Sequence, residues 1–228
     1  MSKIQDYGLY QDCLYEVLAC TISKKNEIEY PNIASMGIRV INDKILKIKP
    51  YYNTVTHKNI KEYGSVSLNF IDDVVLFAQA SLKEIKGSFM GIPIEDYLYH
   101  DYNYRRKNYK SPYLKQAWIV IFCNVVKETH VVKQDEMGSI NATEFELEVI
   151  DSIKKKESFK LYNRAENLAL ESIILATRLK IARENKDDIL YSKIETRINE
   201  YLKMITQFGR NSSALKTINI VKEYIRLL

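Results

Sequence analysis

The strongest constraint on this chain is a change of grammar near residue 158. Before it, apolar residues alternate with polar ones or gather in short β-branched runs. After it they recur at helical spacing, with one Gly and no Pro. A period of 2 gives way to a period of 3.6. Strands followed by helices, rather than alternating with them, make an α+β protein. The expected division is a β-barrel over residues 1–157 and a C-terminal helical subdomain over residues 158–228. A chain of 228 residues can bury the core such an arrangement needs.

Within the first part, Cys13 to Ile22 reads as a strand and Ser23 to Glu29 as its loop. Ala34 to Ile41, the turn residues Asn42-Asp43, and Lys44 to Lys49 read as a hairpin. Thr56 to Tyr63 is a short helix closed by Gly64, a residue suited to the left-handed position after a helix. Ser65 to Ile71 is the next strand, and Asp72-Asp73 caps a helix over Val74 to Ile85. Gly87 to Pro112 dissolves into Tyr, Asn and Lys and reads as a long excursion. Ala117 to Lys133 is a long strand or bent hairpin, and Phe145 to Ile150 is the last strand.

In the second part, helices are expected over Asn163 to Glu184, over Asp187 to Phe208 with Gly209 as its stop, and from Ser212 or Ser213 to the C-terminus. Arg164, Glu171 and Arg178 are spaced by seven and share one stripe. Leu168, Leu175 and Leu179 flank it on one side, and Leu170, Ile174 and Ile181 on the other. A helix apolar nearly all round is buried, so these charges are expected to need partners from a ligand, the barrel or a second subunit.

The candidate site lies in the first part. The run Asn32-Ile33-Ala34-Ser35-Met36-Gly37-Ile38-Arg39 is followed by Pro50 and by Thr54-Val55-Thr56-His57-Lys58-Asn59. A strand beside a helix start rich in hydroxyl, amide and cationic groups offers the donors that hold a phosphate next to an apolar ring. The same residues also suit a capped surface helix with no ligand at all.

Other classes find less support. The net charge is +5, but 34 Lys and Arg are interleaved with 29 Asp and Glu along the chain, whereas nucleic-acid binders concentrate basic residues on one face. The densest basic run is Arg105-Arg106-Lys107, with Lys110 and Lys115 among Tyr102, Tyr104, Tyr109 and Tyr113. Aromatic and basic interleaving can bind single strands, yet a solvated Tyr-rich loop is the commoner outcome, and nucleic acid is not the expected partner. Cys13, Cys20 and Cys123 show no paired spacing, and His57, His100 and His130 form no metal-ligand pattern. There is no signal-peptide pattern and no membrane-spanning run, so a cytoplasmic, soluble protein is expected.

These motifs together resemble the archaeal-type FMN-binding split-barrel proteins, a flavin-reductase-like family. The residues that carry the resemblance are Pro31 to Ile38, Pro50-Tyr51 with Thr54 to Ile60, Leu68-Asn69, Asp72-Asp73 and Phe77. Asn163-Arg164-Ala165, Glu171 and Thr177-Arg178 continue it into the helices. His57 stands where an aromatic residue is commoner in that family. The resemblance implies a six-stranded split barrel that forms a homodimer with FMN near the subunit interface. It implies FMN contacts from Ser35, Met36, Gly37, Ile38 and Arg39 on the strand, and phosphate contacts from Thr54, Thr56, Lys58 and Asn59. The implied function is a flavin-dependent oxidoreductase or flavin reductase, with its substrate and electron donor unspecified. A non-catalytic flavin carrier or sensor is the alternative. No residue stands out as an obligatory acid or base, and none is assigned a catalytic role.

Overall fold

The computed structural model describes residues 4–26, 28–82, 91–135, 138–157, 164–207 and 212–228. They form two compact units, residues 1–72 with 93–158 and residues 73–92 with 159–228.

The first unit holds the strands β1 (Leu14–Lys25), β2 (Ile28–Val40) and β3 (Ile45–Ile48), the helix α1 (Val55–Tyr63), and the strand β4 (Ser65–Phe70). Strands β5 (Tyr97–Tyr104), β6 (Lys107–Leu114), β7 (Ile119–Asp135) and β8 (Gly138–Lys154) complete it. Six of them close into an antiparallel barrel in the order β1-β2-β3-β8-β7-β4, the barrel expected from the sequence. Alternation sets the inside. Val17 and Ala19, Ile38 and Val40, Leu46 and Ile48, Val66 and Leu68, Ile119 and Ile121, and Phe145 and Leu147 form one buried cluster. Helix α1 contributes Ile60 to the same cluster. The turn between β2 and β3 is closed by Asn42, whose Oδ1 accepts from the amides of Lys44 and Ile45, each at 2.9 Å.

Three expectations for this unit change. The loop expected over Ser23 to Glu29 is mostly strand, since β1 runs to Lys25 and β2 starts at Ile28, six residues before Ala34. Strand β8 begins at Gly138, well before Phe145. The stretch Gly138 to Thr143 holds one large apolar residue, Ile140, among small and polar ones, so only its pairing with β7 from His130 to Asp135 marks it as strand. The excursion expected over 87–112 is, from Tyr97, an ordered β5–β6 hairpin. Its residues 87–90 lie outside the described ones.

That hairpin covers the outer wall of the barrel. Tyr102 and Phe122 form a second buried cluster with Ala117 and Val120, and Tyr104, Tyr109 and Tyr113 pack against it. Its register is pinned from β4. Asn69 Oδ1 accepts from the Leu114 amide at 2.8 Å, and Ser67 Oγ donates to the Pro112 carbonyl. Asn69 Nδ2 donates to the Leu18 carbonyl at 3.0 Å, so one buried side chain ties β1, β4 and β6 together. The hairpin turns on Arg105-Arg106 alone, with φ of 49° and 65°. This is the two-residue turn with both central residues left-handed. For a residue with a Cβ that region costs about 1–2 kcal/mol.

The second unit contains α2 (Val74–Ser81), α3 (Arg164–Glu184), α4 (Asp188–Gln207) and α5 (Ser212–Leu227). Asp73 caps α2 by accepting from the Val75 amide at 2.9 Å. Asp187 caps α4 by accepting from the Leu190 amide at 3.0 Å. The expected continuations to Ile85, Phe208 and Gly209, and the expected start at Asn163, lie outside the described residues. Helix α3 packs against α4 and α5. Its buried face is Ala165, Ala169, Ser172, Ile173, Ala176, Leu179 and Ala182. This corrects the expectation of a helix buried all round. Small residues line the contact, where helix backbones approach closely, while Leu168, Leu170, Ile174 and Leu175 are only half-buried. Arg164 and Glu171 are exposed and Arg178 is half-buried, so the stripe is not a row of buried charges.

Candidate functional site

The barrel is nearly open beside β2. Pairing between β2 and β3 is confined to Ile38↔Ile48, Arg39↔Lys47 and Val40↔Leu46. The chain then turns away. Pro50 accepts from the Thr143 amide at 3.2 Å, and the Tyr52 amide donates to the Asn141 carbonyl at 3.1 Å. The connection therefore follows β8, and among the described residues no strand pairs with β2 on that side at Ser35 and Gly37. Pro50 also has no N–H with which to extend the ladder.

The direction of the backbone groups on that edge follows from one pair. Both polar groups of Val40 bond toward β1, its amide to the Cys13 carbonyl at 3.1 Å and its carbonyl from the Asp12 amide at 2.8 Å. Groups alternate along a strand, so Ile38 and Met36 also point toward β1. Arg39, Gly37 and Ser35 point the other way. Arg39 meets Lys47 of β3, whereas Ser35 and Gly37 turn their N–H and C=O groups to the open edge. A Cβ on Gly37 would meet Leu14 Cδ1 at 3.4 Å and Glu16 Oε1 at 3.5 Å, so the absent side chain keeps this strip low.

The segment after Pro50 ends in the N-terminus of α1. Thr54 is the N-cap. Its Oγ1 accepts from the His57 amide at 3.2 Å and donates to the Tyr51 carbonyl at 2.9 Å. The amides of Val55 and Thr56 lie in the first turn, where no intrahelical acceptor exists. Together with the helix dipole they make a place for an anion. Asn53, Thr54, Val55 and Lys58 are exposed around it.

The helix divides the expected phosphate ligands into two groups. Thr54 and Lys58 face outward. Thr56 and Asn59 face into the barrel, where both are buried. Thr56 Oγ1 accepts from Asn32 Nδ2 at 3.2 Å. Asn59 Nδ2 donates to Thr21 Oγ1 and to Ser23 Oγ, both at 2.9 Å. Asn32 also donates to Thr21 Oγ1 at 3.2 Å. This polar cluster fixes α1 to β1 and β2 from behind. On the strand, Ser35 and Gly37 lie on the open edge, Met36 packs against the interior cluster, and Ile38 is buried in it. The Arg39 guanidinium donates to the Asp12 carbonyl at 2.9 Å, on the paired side of the strand.

Sequence reasoning missed three supports of this site. Thr21 and Ser23 join the cluster, although Thr21 lies in a strand read only for its apolar residues and Ser23 was expected in the loop after it. Asn32 bridges β2 and α1. Tyr52, in the connection, holds His130 Nδ1 through its hydroxyl at 3.0 Å and covers the His57 ring, with centroids 4.9 Å apart.

His57 itself is buried and not at the anion site. Its Nε2 lies 2.9 Å from Thr143 Oγ1. Its Nδ1 is buried with no partner among the described residues. The tautomer that donates from Nε2 leaves only a lone pair unmet. Desolvation lowers its pKa from 6.5; the charges of Lys61 and Lys58 act in the same direction and Glu128 opposes them. The sign follows from which state takes up the proton. Below pH 6.5 the unfolded chain binds a proton that the folded one resists, so stability falls as pH drops. Denaturation midpoints followed from about pH 8 to 5 should therefore fall at the acid end. In His57→Phe that acid slope should be shallower. An equal slope in both proteins would remove His57 as its source.

Among the described residues no group of His, Cys, Asp and Glu is placed to hold a metal ion. No helix there is long and apolar enough to cross a membrane.

Residues 15–156 match the family model described as the N-terminal domain of a protein of unknown function, DUF447. The uncharacterized protein MJ1453 of Methanocaldococcus jannaschii is 26% identical over 180 residues, covering 78% of this chain and 83% of that protein. Among solved structures, the FMN-bound DUF447 protein MM1853 from Methanosarcina mazei superposes with a TM-score of 0.67 at 17% identity. That match covers 97% of this chain and 99% of the other. At such identity the likeness is one of fold: a split barrel carrying helices.

Proposed function

Because this chain belongs to the DUF447 family, we propose that it binds FMN and serves as a flavin-dependent oxidoreductase or flavin reductase. The observation that carries the reading is the open edge of β2 at Ser35 and Gly37 beside the uncovered N-terminus of α1. The edge offers alternating backbone donors and acceptors to the polar rim of a flat ring. The helix start offers N–H groups, a hydroxyl and an ammonium to a phosphate. FMN has a ring and a phosphate of that kind, and the fold neighbour MM1853 is itself FMN-bound.

In this reading Ser35 and Gly37 orient the ring through their main-chain groups. Gly37 matters because a larger residue would raise the surface the ring rests on. Thr54 and Lys58 hold the phosphate with the Val55 and Thr56 amides. Thr56, Asn59 and Asn32 act from behind, keeping α1 at a fixed depth. Met36 and Ile38 stiffen the strand by filling the interior, and Arg39 anchors its far end. FMN, when bound, would supply the hydride or electron transfer. The chain's residues supply position and charge. A homodimer, with the edge of β2 covered by the second copy, belongs to the same proposal.

The alternative, a flavin carrier or sensor, differs in one observable. Anaerobic addition of NADH or NADPH to the FMN-loaded protein is expected to bleach its visible absorbance within the mixing time of a slow enzyme. Colour that persists with both donors would favour the carrier or sensor.

A further inference from the structure

The β5–β6 hairpin carries a second surface that the flavin reading does not use. We propose that it binds single-stranded nucleic acid, Arg105 and Arg106 at its tip receiving phosphates and the Tyr99 ring stacking on a base.

The first observation is the choice of residues at the turn. Among the described residues, three of the six non-glycine residues with positive φ are Asn or Asp, namely Asp12, Asn26 and Asn53, and Lys186 is the one other besides the two arginines of this turn. The short polar side chains of Asn and Asp tolerate the left-handed region. The turn of this hairpin needs that region twice in succession, a demand for which Asn-Gly is the favoured answer. Here both places are arginine, at φ of 49° and 65°, and both are exposed. Folding alone gives no reason for that choice. Strain of this kind, kept at a solvent-facing tip, is a mark of function.

The second observation is the pairing of cations with rings along the hairpin. The Arg105 guanidinium lies 5.0 Å from the Tyr104 centroid, Lys107 Nζ 4.8 Å from Tyr109, and Lys110 Nζ 4.9 Å from Tyr99. A cation held over a ring has already lost much of its rotamer freedom while its N–H groups still face water. The platform beneath is fixed. Tyr102 stacks on Tyr109 at 5.5 Å, and the Tyr104 hydroxyl donates to Glu148 at 2.7 Å. Of the nearby carboxylates, Glu148 has Tyr104, Asp151 has His100 and Asp96 has Lys115, while the exposed Asp101 stands opposite Lys110 in the hairpin and offsets part of its charge.

Aromatic faces interleaved with cations suit bases and phosphates together. An acidic peptide would call for the charges but not for the exposed Tyr99 face. The same residues in a disordered, solvated loop would carry no such implication. The ordered hairpin and its turn are what change the reading.

The test uses the full chain and a labelled oligothymidylate of about 16 nucleotides, the upper end of a single-module site. Wild-type protein should bind it with an affinity that falls steeply with salt. The double variant Arg105→Asn/Arg106→Gly should melt at a higher temperature than wild type, because its turn residues now match the backbone. It should also lose binding, with the salt slope reduced in magnitude by about 0.7 for each phosphate contact removed. Tyr99→Leu should weaken binding by about 5- to 150-fold, the range for one stacked base. Inorganic polyphosphate and polyglutamate serve as competitors without bases. Three results would each overturn the proposal. They are no binding by wild type, a turn variant that binds unchanged, and competition by either polyanion as strong as by the oligonucleotide with Tyr99→Leu neutral. The last would assign the surface to charge alone.

Discussion

Asn69→Ala is expected to lower the unfolding free energy by on the order of 3 kcal/mol, since the buried Leu114 amide loses its acceptor and the buried Leu18 carbonyl its side-chain donor. The side chain is fully buried. Its Oδ1 takes the Leu114 amide and its Nδ2 serves the Leu18 carbonyl and Cys20 Sγ. Alanine leaves the buried Leu114 N–H unmet beneath the β5–β6 hairpin and removes one of two donors around the Leu18 carbonyl, which still pairs with β4 at residue 69. An orphaned group of this type costs about 1–3 kcal/mol, against a total stability of about 5–15 kcal/mol for a domain. Ser67→Ala, which removes the bond to the Pro112 carbonyl and a long one of 3.4 Å from Asn69 Nδ2, should cost about 1 kcal/mol. Urea unfolding of the three proteins checks the ratio. Equal midpoints for the two variants would mean that Asn69 is not what fastens the hairpin to the barrel.

Lys58→Ala should weaken FMN binding by about 10- to 150-fold and leave the melting temperature of the FMN-free protein unchanged. That loss corresponds to one hydrogen bond to a charged group, about 1.5–3 kcal/mol. Lys58 is exposed on the outer side of α1, so its removal disturbs no packing. Thr56→Ala makes the opposite pair of predictions. Its hydroxyl accepts from Asn32 inside the barrel, so the variant should be less stable when FMN-free. Its FMN affinity should change only as far as α1 shifts. Fluorescence quenching of FMN titrated with each variant gives the affinities. A normal affinity in Lys58→Ala together with a large loss in Thr56→Ala would place the phosphate inside the helix instead of at its start.

The sequence made much of this architecture legible where local chemistry is unambiguous. Gly64 announces the end of α1 because a glycine there meets the left-handed turn, whereas the start expected at Thr56 falls at Val55, capped by the Thr54 hydroxyl. Asn42 marks the β2–β3 turn for the same kind of reason. The β5–β6 hairpin was hidden because its turn is Arg-Arg, with no Gly or Asn to announce it. Its strands also place Tyr on both faces, which erases the alternation. The contact face of α3 was hidden because it is built from Ala, while the eye is drawn to Leu on its flanks.

At the site, residue types gave the donors but not their directions. Thr56, Asn59 and Ile60 share the buried side of α1, and Thr54 and Lys58 the exposed one. Ile60, four residues after Thr56, was the available signal that Thr56 turns inward. The open edge of β2 could not be read from the sequence at all. It depends on β3 ending after four residues and on the following connection choosing β8.

The most direct measurement is the visible absorbance spectrum of the purified protein, taken after loading with excess FMN and then gel filtration. Stoichiometric flavin eluting with the protein, and much less with Lys58→Ala, is the predicted result. A wild-type protein that elutes colourless after loading would contradict the account, leaving a split barrel whose open edge and helix start serve some other ligand.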